Sequence, residues 1–204
     1  MIKPIRMRVS GIMLSLVVGC VGVSCSTHRF ANDQKLLDAS HSSRLMPDGK
    51  SWLTVNLGIT TGRSYCYDDT EVHCRRYGRL YTWESAQTGC QSLGNGWRLP
   101  TNDEWRQMVK HYGGVHDDSD DSGNAAYQAL LIGGGSGFDG LLGGGRAPDN
   151  SRYARLEAHG FYWTASASDS ATAWFYNFGR GGQSLYRHSD GEKQRAFSVR
   201  CVRE

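Results

Sequence analysis

The sequence predicts an α+β fold in which two helices pack on a small antiparallel sheet and long glycine-rich loops connect the elements. Two stretches, 82–93 and 101–112, carry apolar residues at helical spacing. Three stretches after Gly160, separated by Gly, Ser and Asp, have the composition of strands in an antiparallel meander. The 26 Gly, 4 Pro, 10 Tyr and 6 Trp indicate a loop-rich domain with aromatic anchors, and 204 residues suffice for one such domain and a short appendage.

The first helix is predicted to begin after the cap candidate Thr82 and to end at Gly94-Asn95-Gly96. Its apolar face places a cysteine toward the core. The residues on this face are Trp83, Ala86, Cys90 and Leu93.

The second helix is predicted to begin at a capping box, because Thr101 is followed three residues later by Glu104, with Pro100 in front. Apolar side chains then follow at i, i+3, i+4 and i+7, and Gly113-Gly114 ends the helix. These side chains are Trp105, Met108, Val109 and Tyr112.

The strands are predicted from short apolar and aromatic runs bounded by turn residues. The first follows a turn at Asp48-Gly49 and covers 52–57. The other three cover 161–166, 173–178 and 196–202. The glycines of 133–145 predict tight turns in a long loop, with Phe138 and Leu141 in the core.

Five strings occur in a fixed order along the chain: YGRLYTW, GWRLPTNDEW, GSGFDGLLGG, YWTAS and SVRCV. Together they resemble the Fibrobacter succinogenes major paralogous domain over about 48–203. The resemblance implies a C-type-lectin-like fold. The RLPT string with its Glu-Trp pair is also similar to formylglycine-generating enzymes and to collagen-like-protein C-terminal domains. The family has no assigned activity, so the resemblance implies architecture rather than chemistry. Its usual strand before Trp52 has no evident counterpart here.

Cysteines 66, 74, 90 and 201 form an even set, which in an exported protein favours two disulfides over metal binding or catalysis, and three pairings are formally possible. The separation of eight residues suits a local link between Cys66 and Cys74. That leaves Cys90 for Cys201, and the C-type-lectin-like resemblance implies this long-range bond as well.

The N-terminus has the charge layout of an export signal, since three basic residues precede the apolar run 12–18 and residues 1–19 contain no Asp or Glu. The apolar run is too short for a stable span. Val17-Val18-Gly19-Cys20 fits a bacterial lipoprotein signal, with Cys20 as the acylated residue and Cys25 as the alternative. An uncleaved membrane anchor or a secreted protein remains an alternative interpretation.

This layout divides the chain into a signal peptide at 1–19, a flexible polar tether at 20–46 and the folded domain at 47–204. Removing residues 1–19 takes away three positive charges and no negative ones, so the net charge of +3 becomes 0. A neutral mature chain disfavours nucleic acid as a partner.

The acidic run 117–121 is the one candidate for calcium, because Asp118, Asp120, Ser122 and Gly123 match the start of an EF-hand loop. The match fails at position twelve, where Ala129 stands in place of Glu. We therefore expect a solvated loop and no metal. We also expect no nucleotide cofactor, because no strand leads into the glycines at 135, 137 and 140.

No complete catalytic set is found, and we do not expect an enzyme. The histidines show no zinc spacing, and no Gly-x-Ser-x-Gly elbow occurs. Formylglycine-generating enzymes depend on a cysteine pair near the C-terminus, where this chain has Cys201 alone. A formylglycine-generating-like activity is thus the less favoured alternative.

We expect an exported, lipid-anchored cell-envelope protein, periplasmic or surface-exposed, whose domain binds a glycan or protein. The segment 179–190 is the predicted binding loop, with Arg180, Tyr186 and Arg187 as candidates for stacking and hydrogen bonding. The strings with which C-type lectins bind sugar through calcium (Glu-Pro-Asn, Gln-Pro-Asp, Trp-Asn-Asp) are absent, so sugar binding would be calcium-independent. The alternative is a structural envelope protein whose aromatic residues serve only the core.

Overall fold

The chain folds as an α+β domain with four α-helices and ten short strands in the part that the computed structural model describes, residues 42–116, 122–148 and 152–204. Cys20, Cys25 and the acidic run 117–121 lie outside the described residues. The helices are α1 (Glu71–Tyr77), α2 (Trp83–Gln91), α3 (Asn102–Lys110) and α4 (Asn124–Leu130). The strands are β1 (Ser43–Leu45), β2 (Ser51–Leu53), β3 (Ser64–Tyr65), β4 (Leu80–Tyr81), β5 (Gly145–Arg146), β6 (Tyr153–Ala154), β7 (His159–Ala167), β8 (Thr172–Gly179), β9 (Ser184–Glu192) and β10 (Val202–Arg203).

Both predicted helices are present, as α2 and α3. Thr82 is the N-cap residue of α2, and Cys90 on that helix is fully buried. In α3 the Thr101 hydroxyl accepts from the Glu104 backbone N–H, and the Glu104 carboxylate accepts from the Thr101 backbone N–H, which completes the predicted capping box. None of the four helices, nor any other helix of the described ranges, has the length and apolar character that membrane crossing requires.

Two further helices were not predicted from the sequence. Helix α1 lies in a polar segment, and its charges suit the helix dipole, with Glu71 in the first turn and Arg75 and Arg76 in the last. Helix α4 follows Gly123, whose positive φ of 71° is the left-handed conformation that glycine adopts readily. Both helices have seven residues, too few for an amphipathic period to stand out in a sequence.

The central sheet is an antiparallel meander in the order β7-β8-β9. The first two strands were predicted within two residues of their bounds. The third was not: β9 lies in the segment predicted to be a binding loop, and the predicted strand 196–202 is not part of this sheet. Residues 196–198 instead form isolated bridges with Arg146, Tyr81 and Tyr162 before the chain reaches β10.

A second sheet joins the two ends of the domain in the order β1-β2-β10. Strand β1 pairs antiparallel with β2, so a strand does precede Trp52, contrary to our expectation. The final residues of the predicted tether 20–46 thus fold onto the domain, and Met46 is buried. Strand β2 ends at Leu53, four residues before the predicted end at 57.

The meander separates two apolar clusters, because successive residues of a strand point to opposite faces. Tyr162 and Tyr176 belong to the cluster around Trp105, whereas Trp163 and Phe175 belong to the other. The Trp105 cluster comprises Met46, Trp52, Trp105, Met108, Val109, Val115, Ala126, Tyr127, Leu130, Phe138, Leu142, Tyr162, Tyr176, Phe178, Leu185 and Val202. The Trp163 cluster comprises Leu53, Leu57, Tyr81, Ala86, Cys90, Trp97, Leu99, Trp163, Ala173, Phe175, Phe197, Val199 and Cys201.

The structure contains the two expected disulfides. Cys90 of α2 is bonded to Cys201 across a sequence separation of 111, inside the Trp163 cluster. Cys66 is bonded to Cys74 of α1 across a separation of 8. The long-range bond therefore fixes helix α2 to the C-terminal segment, and the local bond closes the segment before α1.

The glycine-rich segment 133–145 is held by a buried arginine that the sequence analysis did not single out. Arg200 is fully buried and donates to the Asn56 side chain (2.7 Å) and to the backbone carbonyls of Leu53, Phe138 and Asp139. Burial lowers the pKa of its guanidinium, and the acceptors around it compensate for the lost solvation. Phe138 is in the core as predicted.

The prediction for Leu141 was wrong by one residue. Leu142 belongs to the Trp105 cluster, whereas Leu141 is only half-buried. The Leu141 backbone instead binds the Tyr162 hydroxyl through both its N–H and its carbonyl.

Candidate ligand-binding groove

The three predicted binding residues lie in different environments. Arg180 is exposed in the turn between β8 and β9, whereas Tyr186 and Arg187 are half-buried on β9. Because they are consecutive in a strand, the side chains of Tyr186 and Arg187 point to opposite faces of the sheet. The Tyr186 ring packs on His116 at 4.9 Å, and the Arg187 guanidinium lies 4.6 Å from the Trp174 ring centroid. The three therefore do not form one site.

A groove of about 640 Å³ lies on the side of the sheet that carries the Trp163 cluster. One wall is formed by strands β5 and β6 with the residues that flank them. The other wall is formed by the end of β9 and the following residues, including Asp190, Glu192 and Arg195. This is the size of a small-molecule or oligosaccharide site.

The floor of the groove consists of three phenylalanine rings. Phe161 and Phe197 stack with centroids 5.0 Å apart, and Phe175 lies 5.0 Å from Phe197. Phe175 and Phe197 are buried, but Phe161 is only half-buried and leaves part of the floor accessible. The imidazole of His159 extends the stack, with its ring 5.4 Å from Phe161.

Both walls approach this floor with glycine backbone. A Cβ at Gly191 would lie 2.7 Å from ring atoms of both Phe175 and Trp163. A Cβ at Gly145 would lie 3.0 Å from Phe197. A side chain at either position would push the wall away from the rings, so the shape of the groove depends on these two glycines.

The rim of the groove is basic. Among the described residues, four arginines line it, against the two carboxylates of Asp190 and Glu192, which gives these lining residues a net charge of +2. The arginines are Arg146, Arg152, Arg155 and Arg195. On a mature chain whose net charge is expected to be 0, this is a local concentration of positive charge at a concave surface.

Two of these arginines are engaged within the protein. The Arg146 guanidinium lies 4.0 Å from the ring centroid of Tyr65, and Arg195 forms an ion pair with Glu192 at 3.3 Å. Arg152 and Arg155 are exposed, and no acidic side chain of the described ranges lies within ion-pair distance of either one. They are the two cations of the rim that can turn toward a ligand.

Tyr153 fixes the strand between these two arginines. Burial raises the pKa of its hydroxyl to about 12, and the hydrogen bond that it donates to the Asp69 carboxylate acts in the same direction. The side chain is therefore neutral at physiological pH and serves as a hydrogen-bond donor to Asp69. Its ring also packs on Tyr67 at 5.2 Å, which anchors β6 to the body of the domain.

One group of potential metal ligands occurs among the described residues: Cys66, Glu71 and Cys74. Both sulfurs belong to a disulfide and therefore offer no thiolate to a metal. The guanidinium of Arg79 lies 3.5 Å from Cys66 Sγ and 3.6 Å from Cys74 Sγ, so the site already holds a cation. This arrangement does not suit a metal centre.

The sequence analysis missed the groove because it looked for planar and polar side chains in a single loop. A usable signal was present in 146–155, where three arginines and Tyr153 occur within ten residues. The contribution of Arg195 and of the phenylalanine floor could not be found in this way, because the fold brings them together from distant parts of the chain.

These features define a class of protein: a small disulfide-bonded α+β domain with an arginine-rimmed aromatic groove. The chain belongs to the Fibrobacter succinogenes major domain family, whose model matches residues 37–203. The match begins before the start at about 48 that the sequence motifs indicated, in agreement with the folded position of β1. No curated protein and no solved structure matches the chain.

Proposed function

We propose that this protein is an exported, lipid-anchored cell-envelope protein that binds a glycan or protein ligand through a C-type-lectin-like domain. The observation that carries the proposal is the groove itself, in which a partly accessible phenylalanine floor lies below a rim of arginines. Concave sites with an apolar floor and a few convergent polar groups are the usual form of ligand sites. Apolar surface that stays exposed in a cleft forgoes the stabilisation that burial would give. Such a surface therefore favours a role in binding.

The cellular location is supported by the chemistry of the chain. Two disulfides in a small domain are typical of an oxidising compartment outside the cytosol. The basic and then apolar N-terminus that ends at Cys20, or alternatively at Cys25, supports export and acylation. Acylation of this cysteine would hold the domain at a membrane surface through the tether.

The test fills the groove without changing its charge. Ala154 is exposed and lines the groove, so Ala154→Trp should block it with little effect on the fold. Ala125→Trp, at an exposed position on α4, is the matched control. We expect the purified full chain to bind members of broad glycan and peptide arrays, Ala154→Trp to lose at least about tenfold in affinity, and Ala125→Trp to bind as the wild type does.

A chain that is retained on no member of either array would overturn the ligand-binding proposal and favour the structural alternative. Equal binding by wild type and Ala154→Trp would place the site elsewhere. In that case the turn at Arg180 and the face of β9 that carries Tyr186 become the next surfaces to test.

A further inference from the structure

We infer that the ligand of the groove is an acidic polysaccharide, whose carboxylate or sulfate groups bind Arg152 and Arg155 while a sugar ring lies on the phenylalanine floor. This inference rests on the proposed function and names the chemical class that the groove selects. It follows from the charge of the rim, from the two arginines that have no acidic partner among the described residues and from the aromatic floor.

The rim favours an anion. The lining carries four arginines and two carboxylates, and the ion pair of Arg195 with Glu192 already satisfies one of each. Among the described lining residues, Arg152 and Arg155 then outnumber the remaining carboxylate of Asp190. A neutral ligand would leave these two guanidinium groups to water, whereas an anion would replace that water with charge-assisted hydrogen bonds.

Arg152 and Arg155 are placed for a repeating anion rather than for a single charge. They flank the two residues of β6 at i and i+3, and β6 is anchored by the Tyr153–Asp69 hydrogen bond and by pairing with β5. The guanidinium group is a planar fork that matches the geometry of carboxylate and sulfate oxygens. Two such forks, one at each end of β6, suit a polymer that presents acidic groups at intervals.

The floor favours a sugar as the carrier of those groups. Phe161 and Phe197 stack with an interplanar angle of 28°, and Phe161 is partly accessible, so the floor offers apolar aromatic surface to a ligand. A pyranose ring has an apolar face of C–H groups that can lie on such a surface while its substituents reach the rim. Asp190 and Glu192, on the other wall, provide acceptors for sugar hydroxyl groups.

The test compares binding of charged and uncharged polymers to the full chain. The probes are polygalacturonate with its methyl ester, dextran sulfate with dextran, and poly-glutamate as the peptide alternative. We expect polygalacturonate or dextran sulfate to bind at least about tenfold more tightly than its uncharged counterpart, with affinity that falls as salt rises. Binding of polygalacturonate would identify carboxylate as the recognised group, and binding of dextran sulfate would identify sulfate.

The arginines are tested with a variant matched in charge. Arg152→Gln/Arg155→Gln should lose at least about tenfold in affinity for the acidic polymer. Arg75→Gln/Lys110→Gln removes two exposed charges outside the groove and should change affinity by less than about twofold. Equal losses in the two double variants would mean non-specific attraction and would overturn the assignment, as would an unchanged affinity in Arg152→Gln/Arg155→Gln.

The failure of this inference can be distinguished from the failure of the proposed function. If Ala154→Trp abolishes binding of a neutral glycan, the groove is a ligand site but the acidic polysaccharide is wrong. If poly-glutamate binds as tightly as the acidic polysaccharides and with the same dependence on Arg152 and Arg155, the ligand is a peptide and the sugar assignment is overturned.

Discussion

The two sides of the central meander are closed in different ways. On one side, the Trp105 cluster is sealed by side-chain packing: Trp105 stacks on Tyr176 with centroids 4.7 Å apart, and two partly buried apolar residues pack at its margin. On the other side, the Trp163 cluster contains the Cys90–Cys201 bond, has five such residues at its margin and opens at the phenylalanine floor of the groove. The covalent link lies on the side with the less complete apolar cover.

This difference suggests a division of roles. A cluster that leaves part of its apolar surface open for a ligand forgoes hydrophobic stabilisation, and a disulfide can offset that loss by restricting the unfolded chain. The closed side then provides the rigid support, because close-packed aromatic rings resist displacement. Substitutions on each side can test whether that side depends on the feature assigned to it.

The largest expected effect comes from the disulfide of the open side. In the chain-entropy account, a bond that closes 111 residues contributes about 5 kcal/mol and one that closes 8 residues contributes about 2.5 kcal/mol. Cys90→Ser/Cys201→Ser should therefore lower the free energy of unfolding about twice as much as Cys66→Ser/Cys74→Ser. Urea unfolding of the full chain, followed by tryptophan fluorescence, measures both losses.

A smaller loss for the Cys90/Cys201 variant than for the Cys66/Cys74 variant would contradict this account. It would mean that apolar packing, rather than the cross-link, holds the Trp163 side together. The comparison between the two sides would then have to be abandoned.

Those parts of the fold that depend on local sequence could be predicted. The Thr101–Glu104 capping box and the apolar spacing that follows it predict helix α3. The pairing of Cys90 with Cys201 could be expected because the separation of eight residues suited a local bond between Cys66 and Cys74, and because the C-type-lectin-like resemblance implied the long-range bond. In both cases the deciding interactions are close in sequence, or concern residues whose chemistry leaves few partners.

The third strand and the groove could not be predicted, because distant partners decide them. Strand β9 is polar at Ser189, Asp190 and Glu192, and it forms a strand because β8 supplies a pairing edge along its length. The more apolar segment 196–202 runs through the core and forms bridges with several different segments. Apolar composition thus predicted its burial correctly but not its pairing.

On the closed side, the largest expected effect of a single substitution is at Arg200. Arg200→Met keeps an apolar stem but leaves the carbonyls of Leu53, Phe138 and Asp139 without the donor that satisfies them. We expect a loss of about 3 kcal/mol in the free energy of unfolding. Arg203→Met is the control, since Arg203 is less buried and packs on the Trp97 ring at 4.7 Å, and it should cost less than about 1 kcal/mol.

Equal stability of Arg200→Met and wild type would show that the glycine-rich segment does not need this anchor. The closed side would then rely on ring packing alone. If Arg200→Met is destabilised, hydrogen exchange should report faster opening of the backbone around Phe138, because the guanidinium that donates to its carbonyl is lost.

The smallest expected effect concerns Glu104 at the start of α3, the helix that packs on the Trp105 side. Its contribution to stability should depend on pH. Burial opposes ionisation of the Glu104 carboxyl, but hydrogen bonds from Arg98 at 2.7 and 2.6 Å and from the Thr101 backbone outweigh it and lower its pKa from 4.5 to about 2. Because the pKa is lower in the folded state, this stabilisation is present above about pH 4.5 and is lost as the pH falls through about 2.

We expect Glu104 to contribute roughly 1 to 2 kcal/mol at neutral pH, less than the full shift allows, because Arg98 is partly exposed and solvent screens the pair. The carboxyl of Glu204 has a lowered pKa for a similar reason, through Lys50 and Arg98, so wild type alone would not isolate Glu104. The measurement is therefore the difference in unfolding free energy between wild type and Glu104→Gln from pH 7 to pH 2. That difference should shrink steadily below pH 4.5, and a difference that stays constant over this range would mean that the charge of Glu104 does not stabilise the start of α3.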